Sequence, residues 1–239
     1  MTLIRTAIFV GTRPEIIKMA PVIKNCQEAR DFELILVHVG QHYDYNMSIS
    51  FLRELNLPKP NGYLNVRSGV VQFSKVILRA TSFLSRTRPD VVLVEGDTNS
   101  AAGVALASAK LAIPVAHVEA GCRSFDRRMQ EEINRLVIAD CAEYHFAPTR
   151  TCKSNLLQEG IDRKKIFLTG HPIVQTVNQM LPKIQFSEIV QKLGLDSKGY
   201  ALLTVHRAET VDDEKSLSTV INALAMVPVP IVFPIHPRT

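Results

Sequence analysis

The 239-residue sequence is poor in the features that announce most chemistries. Its four cysteines, Cys26, Cys122, Cys141 and Cys152, form no C-x-x-C pair and have no histidine at finger spacing. That argues against a disulfide framework and against a structural zinc site, and it fits a reducing compartment. No uncharged apolar run approaches the ~18 residues needed to span a bilayer. The run Ala7 to Val10 near the N-terminus is too short for a signal-peptide core. These absences predict a cytoplasmic protein with no membrane partner. No G-x-G-x-x-G follows a strand pattern, so a dinucleotide cofactor has no visible seat. There is no Walker A sequence, no His/Cys/Asp cluster at metal-ligand spacing and no G-x-S-x-G elbow. What remains, carboxylates and a histidine together with Arg and Lys, is equipment for acid/base work on an anionic substrate.

What is present describes a globular chain. Hydrophobic residues make up 46% and charged residues 21%, which excludes a disordered or fibrous protein. The net charge of +5 is scattered along the chain. Scatter favours an anionic small molecule, though only weakly, over a nucleic-acid partner. Short apolar runs alternate with amphipathic stretches. Strands are expected at Ala7–Val10, Leu34–Val39, Val91–Val94, Ile113–Val118, Tyr144–Ala147 and Ile166–Thr169. Phe73, Val76, Ile77, Ala80, Phe83 and Leu84 have helical spacing, and Gly160 reads as a helix C-cap. Strands that are apolar throughout and separated by helices mean a parallel sheet covered on both faces. The expected fold class is therefore α/β, with a doubly wound domain over residues 1–170. After Gly170 a helix from about Ile173, a strand Leu202–Val205, a helix Leu217–Val227 and a strand Ile231–Pro234 begin a second α/β unit, residues 171–239. Two strands cannot bury both faces of a sheet, so the chain reads as a fragment of a longer protein.

In an open parallel sheet the ligand lies beyond the carboxyl ends of the strands, so the residues following each strand matter most. The first strand runs into "GTRPE", with Pro14 at N1 and with Arg13 and Lys18 in the next turns. Helix N-terminal amides plus these cations favour an anion site over a merely exposed first turn. Gln41 and His42 follow the second strand, where a polar loop and a ligand contact are equally open. Asp97 follows the third strand, Glu119 the fourth, His171 a later one and His206 the strand after that. Thr98 and Asn99 have the chemistry of helix caps. His38 and His117 fall within strands and read as core histidines.

The segment "RRMQEEINRLVIAD" projects as a helix with Met129, Ile133, Leu136, Val137 and Asp140 along one side. Glu131 and Arg135 fall opposite, spaced for an i,i+4 salt bridge. Glu132 lies on the flank of the apolar stripe. A carboxylate there tends toward a raised pKa, suited to proton transfer, although a solvated edge glutamate is an equal alternative.

The segments "GTRPEIIKMAPVI", "VGQHYDYNM", "EGDTNSAAGVALASAKLAIPVAHVEAGCRSFDRRMQEEINR", "TGHPI", "LLTVHRAE" and "IHPRT", in this order, resemble the UDP-N-acetylglucosamine 2-epimerase family of the non-hydrolysing type. The resemblance covers essentially the whole chain. It implies two Rossmann-like domains in a glycosyltransferase-B-like arrangement, the second incomplete in this chain, with a UDP-sugar bound between them. It implies cofactor-independent interconversion of UDP-GlcNAc and UDP-ManNAc by elimination and re-addition of UDP, in a protein that dimerises with its own kind when full length. Carried over by position, Asp97, Glu119, Glu132 and His206 are catalytic. Arg13, Lys18, Gln41, His42 and Arg207 bind substrate. The alternatives are a hydrolysing relative that releases ManNAc and UDP, a glycosyltransferase of similar architecture, and an inactive fragment. One departure lies in the central block: the family usually reads Met-Pro-Glu-Glu where this chain has Met129-Gln130-Glu131-Glu132, and losing the proline removes a helix-starting constraint next to Glu132. The other is that the family's second domain continues beyond "HPRT" into a Ser/Gly-rich loop and a glutamate that hold the nucleotide.

Overall fold

The computed structural model describes residues 3–40, 45–67, 69, 71–196, 198–205, 208–235 and 239, with backbone alone for 45–49 and 208–209. It divides into two compact units, Met1–Gln179 and Met180–Thr239.

In the first unit β1 (Ile4–Val10), α1 (Arg13–Glu28), β2 (Phe32–His38), α2 (Tyr45–Glu54), β3 (Gly62–Tyr63), α3 (Gln72–Thr87) and β4 (Val91–Glu95) lead to α4 (Asn99–Lys110) and β5 (Val115–Val118). Then come α5 (Gln130–Cys141), β6 (Tyr144–Ala147), α6 (Arg150–Gln158), β7 (Ile166–Leu168) and α7 (Pro172–Gln185), the last running past the boundary of the unit. The seven strands form one sheet in the order β3-β2-β1-β4-β5-β6-β7, and every pairing is parallel. The chain winds outward from β1 in one direction and from β4 in the other. The β1/β4 boundary is therefore the switch point, where a crevice opens beyond the strand ends.

Period-two burial builds the two faces. Ala7, Phe9, Val37, Val92 and Val94 join Val76, Ala80 and Leu84 of α3 and the small residues of α4 in one core. The alternate residues Ile8, Val10 and Leu36 are equally buried and face the other side, where Ile16, Met19 and Ile23 of α1 are buried. α4 can be this closely covered because it is nearly all small: Ala101, Ala102, Gly103, Ala105, Ala107 and Ser108 are buried along it. A Cβ on Gly103 would lie 2.8 Å from Val76 Cγ1. Gly103→Leu should therefore destabilise the protein by about 2 kcal/mol through overpacking between α3 and α4, read as a lowered urea midpoint. An unchanged midpoint would mean that the two helices can separate freely.

The second unit holds α8 (Ile189–Lys192), β8 (Ala201–Leu202), α9 (Ala208–Val211), α10 (Glu214–Leu224) and β9 (Ile231–Val232), with β8 and β9 paired in parallel. β9 keeps the first two residues of its apolar run, whereas β8 begins at Ala201, one residue before its own, and overlaps it only at Leu202, since two residues of each strand form the ladder. The edge strand β3 had no apolar run to announce it. Its two residues are drawn into the sheet by pairing with Val37 and His38. Among the described residues no helix is long and apolar enough to cross a membrane.

Candidate active site

The first strand runs into Gly11, where a Cβ would lie 2.7 Å from Ser100 Oγ, so this turn packs closely against the start of α4. Thr12 caps α1 in a full capping box. Arg13 is the first helical residue and Pro14 the second, one position later than expected. Glu15, 2% exposed, accepts from the Gly11 and Thr12 amides at 2.6 Å each and from Thr98 Oγ1 at 2.6 Å. Burial raises its pKa, and these donors oppose the rise. The anion-site reading of this helix start is thereby narrowed. Two of its amides already serve a carboxyl and Pro14 has none, which leaves the Arg13 side chain, exposed and 5.7 Å from the Phe51 ring centre.

Thr98 caps α4, its hydroxyl accepting from Ala101 N, while Asn99 is the first helical residue and accepts from Asn134 Nδ2 at 3.0 Å. Asn134 also donates to Asp97 O at 2.9 Å, so α5 grips the β4–α4 turn. His117, fully buried, holds the same turn from below with Nε2 2.8 Å from Gly96 O. Burial depresses its pKa to about 4. The unfolded chain takes up a proton near pH 6.5 and the native histidine refuses it until about 4. Stability should therefore fall as pH drops through that window, by at most about 1.4 kcal/mol per pH unit from this group. Buried His145 shifts in the same direction. Urea titrations at pH 7 and pH 5 should show a smaller loss in His117→Gln than in the unaltered protein, and equal losses would remove the assignment.

Glu119 leaves β5 with φ +67°, a left-handed conformation that is strained for a side-chain-bearing residue. The strain turns its carboxylate toward α1. Glu119 Oε2 lies 2.6 Å from Lys18 Nζ and 3.0 Å from His171 Nε2. Lys18 Nζ is also 2.9 Å from Oε1 of Glu95, the last residue of β4. The two carboxyls thus share one ammonium. Burial disfavours the charge on Lys18, but its two carboxyl partners outweigh this and raise its pKa. For Glu119 burial acts upward, yet the hydrogen bonds from Glu95 and Lys18 and the nearby His171 prevail and hold it below its ordinary value.

A second cation bridges the other two carboxylates. Arg135 reaches Asp97 Oδ2 at 2.5 Å and Glu132 Oε2 at 2.9 Å. Burial raises the Asp97 pKa against the pull of Arg135. Glu132 corrects an expectation. It is 2% exposed and accepts from Ser124 N, Ser124 Oγ, Phe125 N and Arg135. Burial acts to raise its pKa, but these donors outweigh it, so the value is lowered rather than raised. The helical projection was also rotated. The buried residues of α5 are Glu132, Asn134, Ile138 and Ala139, whereas Ile133, Asp140 and Glu131 are exposed. Arg135 accordingly pairs with Glu132 and Asp97, not with Glu131.

Asp97, Glu119, Glu132 and Lys18 are thus gathered beyond the ends of β4 and β5, with Arg13 at the start of α1. Gln41, His42, His206 and Arg207 lie outside the described residues. Reading the sequence missed Glu15, Glu95, Asn134 and Arg135 as members of this site. The one available signal was the carboxylate closing the apolar run of β4. Among the described residues no three His, Cys, Asp or Glu side chains converge as a metal site.

The sequence profile of the UDP-N-acetylglucosamine 2-epimerase family matches residues 24–239. A UDP-N-acetylglucosamine 2-epimerase of Methanocaldococcus jannaschii is 43% identical over 98% of this chain and 66% of its own. A UDP-2,3-diacetamido-2,3-dideoxy-D-glucuronate 2-epimerase of Pseudomonas aeruginosa is 38% identical over 96% of this chain and 66% of its own. The crystal structure of the M. jannaschii enzyme with UDP-GlcNAc and UDP superposes with a TM-score of 0.91 at 42% identity, covering 98% of this chain and 67% of that one. The chain thus spans about two thirds of the length of these relatives. With a profile match over most of its length and relatives above 40% identity, the chain belongs to the UDP-N-acetylglucosamine 2-epimerase family.

Proposed function

We propose that this protein interconverts UDP-N-acetylglucosamine and UDP-N-acetylmannosamine by inverting C2 of the sugar. The C2 hydrogen is not adjacent to a carbonyl, so direct deprotonation is unfavourable. Elimination avoids this: the C2 proton passes to a carboxylate, the C1–O bond breaks with its electron pair going to UDP, and a C1=C2 double bond forms. Re-addition of UDP with protonation from the opposite face gives the epimer. Two faces need two proton-carrying groups.

The observation that carries this reading is the pairing of Asp97 and Glu119 at the switch-point crevice, each on its own cation, Arg135 and Lys18. Their environments push them apart. Glu119 is held ionised, ready to accept a proton, while burial makes Asp97 the readier donor. Glu132 fixes Arg135 and the loop carrying Ser124. Arg13, with its exposed guanidinium, meets the departing diphosphate. His206 completes the catalytic set, and Gln41, His42 and Arg207 the substrate contacts. The same reading carries a cytoplasmic homodimer of the full-length protein, for which light scattering at twice the full-length protomer mass is the check.

Incubation with UDP-GlcNAc followed by separation of nucleotide sugars should yield UDP-ManNAc. Free ManNAc with UDP would place the protein among the hydrolysing epimerases. The substrate named for the Pseudomonas relative is the second to try. Consumption of neither would overturn the reading.

A further inference from the structure

Glu95 is a charged residue where the fold asks for an apolar one. It continues the run Val91–Val94, pairs in register with Val118 of β5, and is 2% exposed. A lone buried carboxylate is costly, and one lysine shared with a second carboxylate does not neutralise both. We propose that Glu95 is a positioning residue for the epimerisation, acting through Glu119: sharing the Lys18 ammonium with that carboxylate, it fixes the orientation and protonation in which Glu119 meets the substrate. This rests on the function proposed above, and it assigns a role to a residue which that mechanism leaves unused.

Two carboxyls on one ammonium leave an excess negative charge unless one of them carries a proton. Glu95 is the more deeply buried of the two, at 2% side-chain exposure against 18% for Glu119. The Lys18 ammonium is 2.9 Å from Glu95 Oε1 and closer, at 2.6 Å, to Glu119 Oε2, to which it donates a hydrogen bond. The proton therefore belongs on Glu95 and the negative charge on Glu119. With that assignment Lys18 and Glu119 balance, and the buried partner is neutral. The other charged or titratable groups reinforce it. Glu15 of α1 adds negative potential at Glu95, and His171, just before α7, sits on Glu119 rather than on Glu95. Burial first, then the contact with Glu119, holds Glu95 well above the ordinary carboxyl range. A protonated Glu95 donates to one side of Glu119 while Lys18 and His171 occupy Oε2, so the carboxylate cannot rotate freely toward the sugar. A residue serving only as filler or as a counter-ion to Lys18 would have none of these consequences for Glu119.

The test compares Glu95→Gln, which keeps a side-chain donor but cannot ionise, with Glu95→Ala, which removes it. In the unaltered protein, ionisation of Glu95 at high pH should break the pair and lower kcat. Glu95→Gln should retain turnover within about threefold and lose that alkaline limb. Glu95→Ala should lower kcat by ~10-fold or more with a smaller change in KM. Its acid limb in kcat/KM should move up by at least about half a pH unit, because Glu119 loses a donor that stabilises its ionised form. Equal losses in both variants with unshifted limbs, or an unchanged profile in Glu95→Ala, would overturn the proposal. A carbon-13 titration of the glutamate side-chain carboxyls, with Glu119→Gln to assign the resonance, reads the same shift without turnover. If the unaltered protein fails to epimerise UDP-GlcNAc, the proposed reaction falls and this titration alone decides the role of Glu95. Should Glu95→Ala not fold, the alkaline limb of Glu95→Gln decides it.

Discussion

Replacing Glu119 by glutamine should lower turnover of UDP-GlcNAc by ~10²-fold or more, the usual contribution of a positioned proton-transfer group. Glutamine keeps the size of the side chain but cannot hold a proton from C2. It also leaves Lys18 and His171 without the carboxylate oxygen they share. Asp97→Asn should cost a comparable factor for the opposite half of the reaction, since the amide can neither store nor return a proton and releases Arg135. The two carboxylates are expected to differ in pH response. Glu119 is held below its ordinary value and Asp97 above its own, so the acid limb of the activity profile should report Glu119. Glu132→Gln should lose activity to a similar degree but with reduced thermal stability as well, because a buried carboxylate that accepts four hydrogen bonds is removed from them. Steady-state kinetics alongside melting curves separates these cases. Full activity in Glu119→Gln would remove it from the chemistry.

The second large effect is on folding. Gly121 stands between Glu119 and the loop that Glu132 anchors, at φ +82°, with its carbonyl accepting from Asn155 Nδ2 at 2.9 Å. A Cβ there would overlap the Cys152 carbonyl oxygen and lie 2.9 Å from Leu156 Cγ. Both obstacles belong to α6, whose Thr149 cap and buried Leu156 fix it against the sheet. Left-handed strain and a clash with backbone act together, so Gly121→Ala should destabilise the protein by about 4 kcal/mol or more. That is a large share of a domain's total stability, and poor soluble yield is the expected result. A variant with an unchanged melting temperature would mean that α6 can move away. The loop on which Glu119 and Ser124 depend would then be less rigid than its hydrogen bonds imply.

The parts of this structure that the sequence announces are those where one physical signal dominates. Tyr144–Ala147 was placed to the residue because four strand residues lie between helices with nothing to compete. Gly160 ends α6 one residue later than the cap expected of it: Glu159 is the C-cap, and Gly160 follows in the left-handed conformation at φ +85°. α5 was misread because its buried face is half polar. Glu132 and Asn134 point inward to satisfy loop amides and the β4–α4 turn, so a projection that sorts by hydrophobicity rotates the helix the wrong way. Arg135 was hidden for the same reason: an i,i+4 partner stood in Glu131, but the tertiary partners Asp97 and Glu132 were stronger. Glu95 falls one residue past the apolar run Val91–Val94 in sequence. Only the register of β4 against β5 shows it to be a strand residue buried behind Lys18. β3 could not be read at all, since two residues carry no periodicity. The carboxylates that follow strands were legible in sequence. Lys18 was legible as a site cation, but its pairing with Glu95 and Glu119, and the whole role of Arg135, needed the fold.

The most direct measurement follows the hydrogen at C2. The protein is incubated with UDP-GlcNAc in heavy water, and the nucleotide sugars are examined by proton NMR and mass spectrometry as UDP-ManNAc accumulates. Elimination through a carboxylate that exchanges with solvent predicts one deuterium at C2 of the UDP-ManNAc formed, with the C2 proton signal absent and a mass increase of about one unit. Epimerisation that retains the original C2 hydrogen would contradict the account, because it would leave Asp97 and Glu119 without a proton to carry.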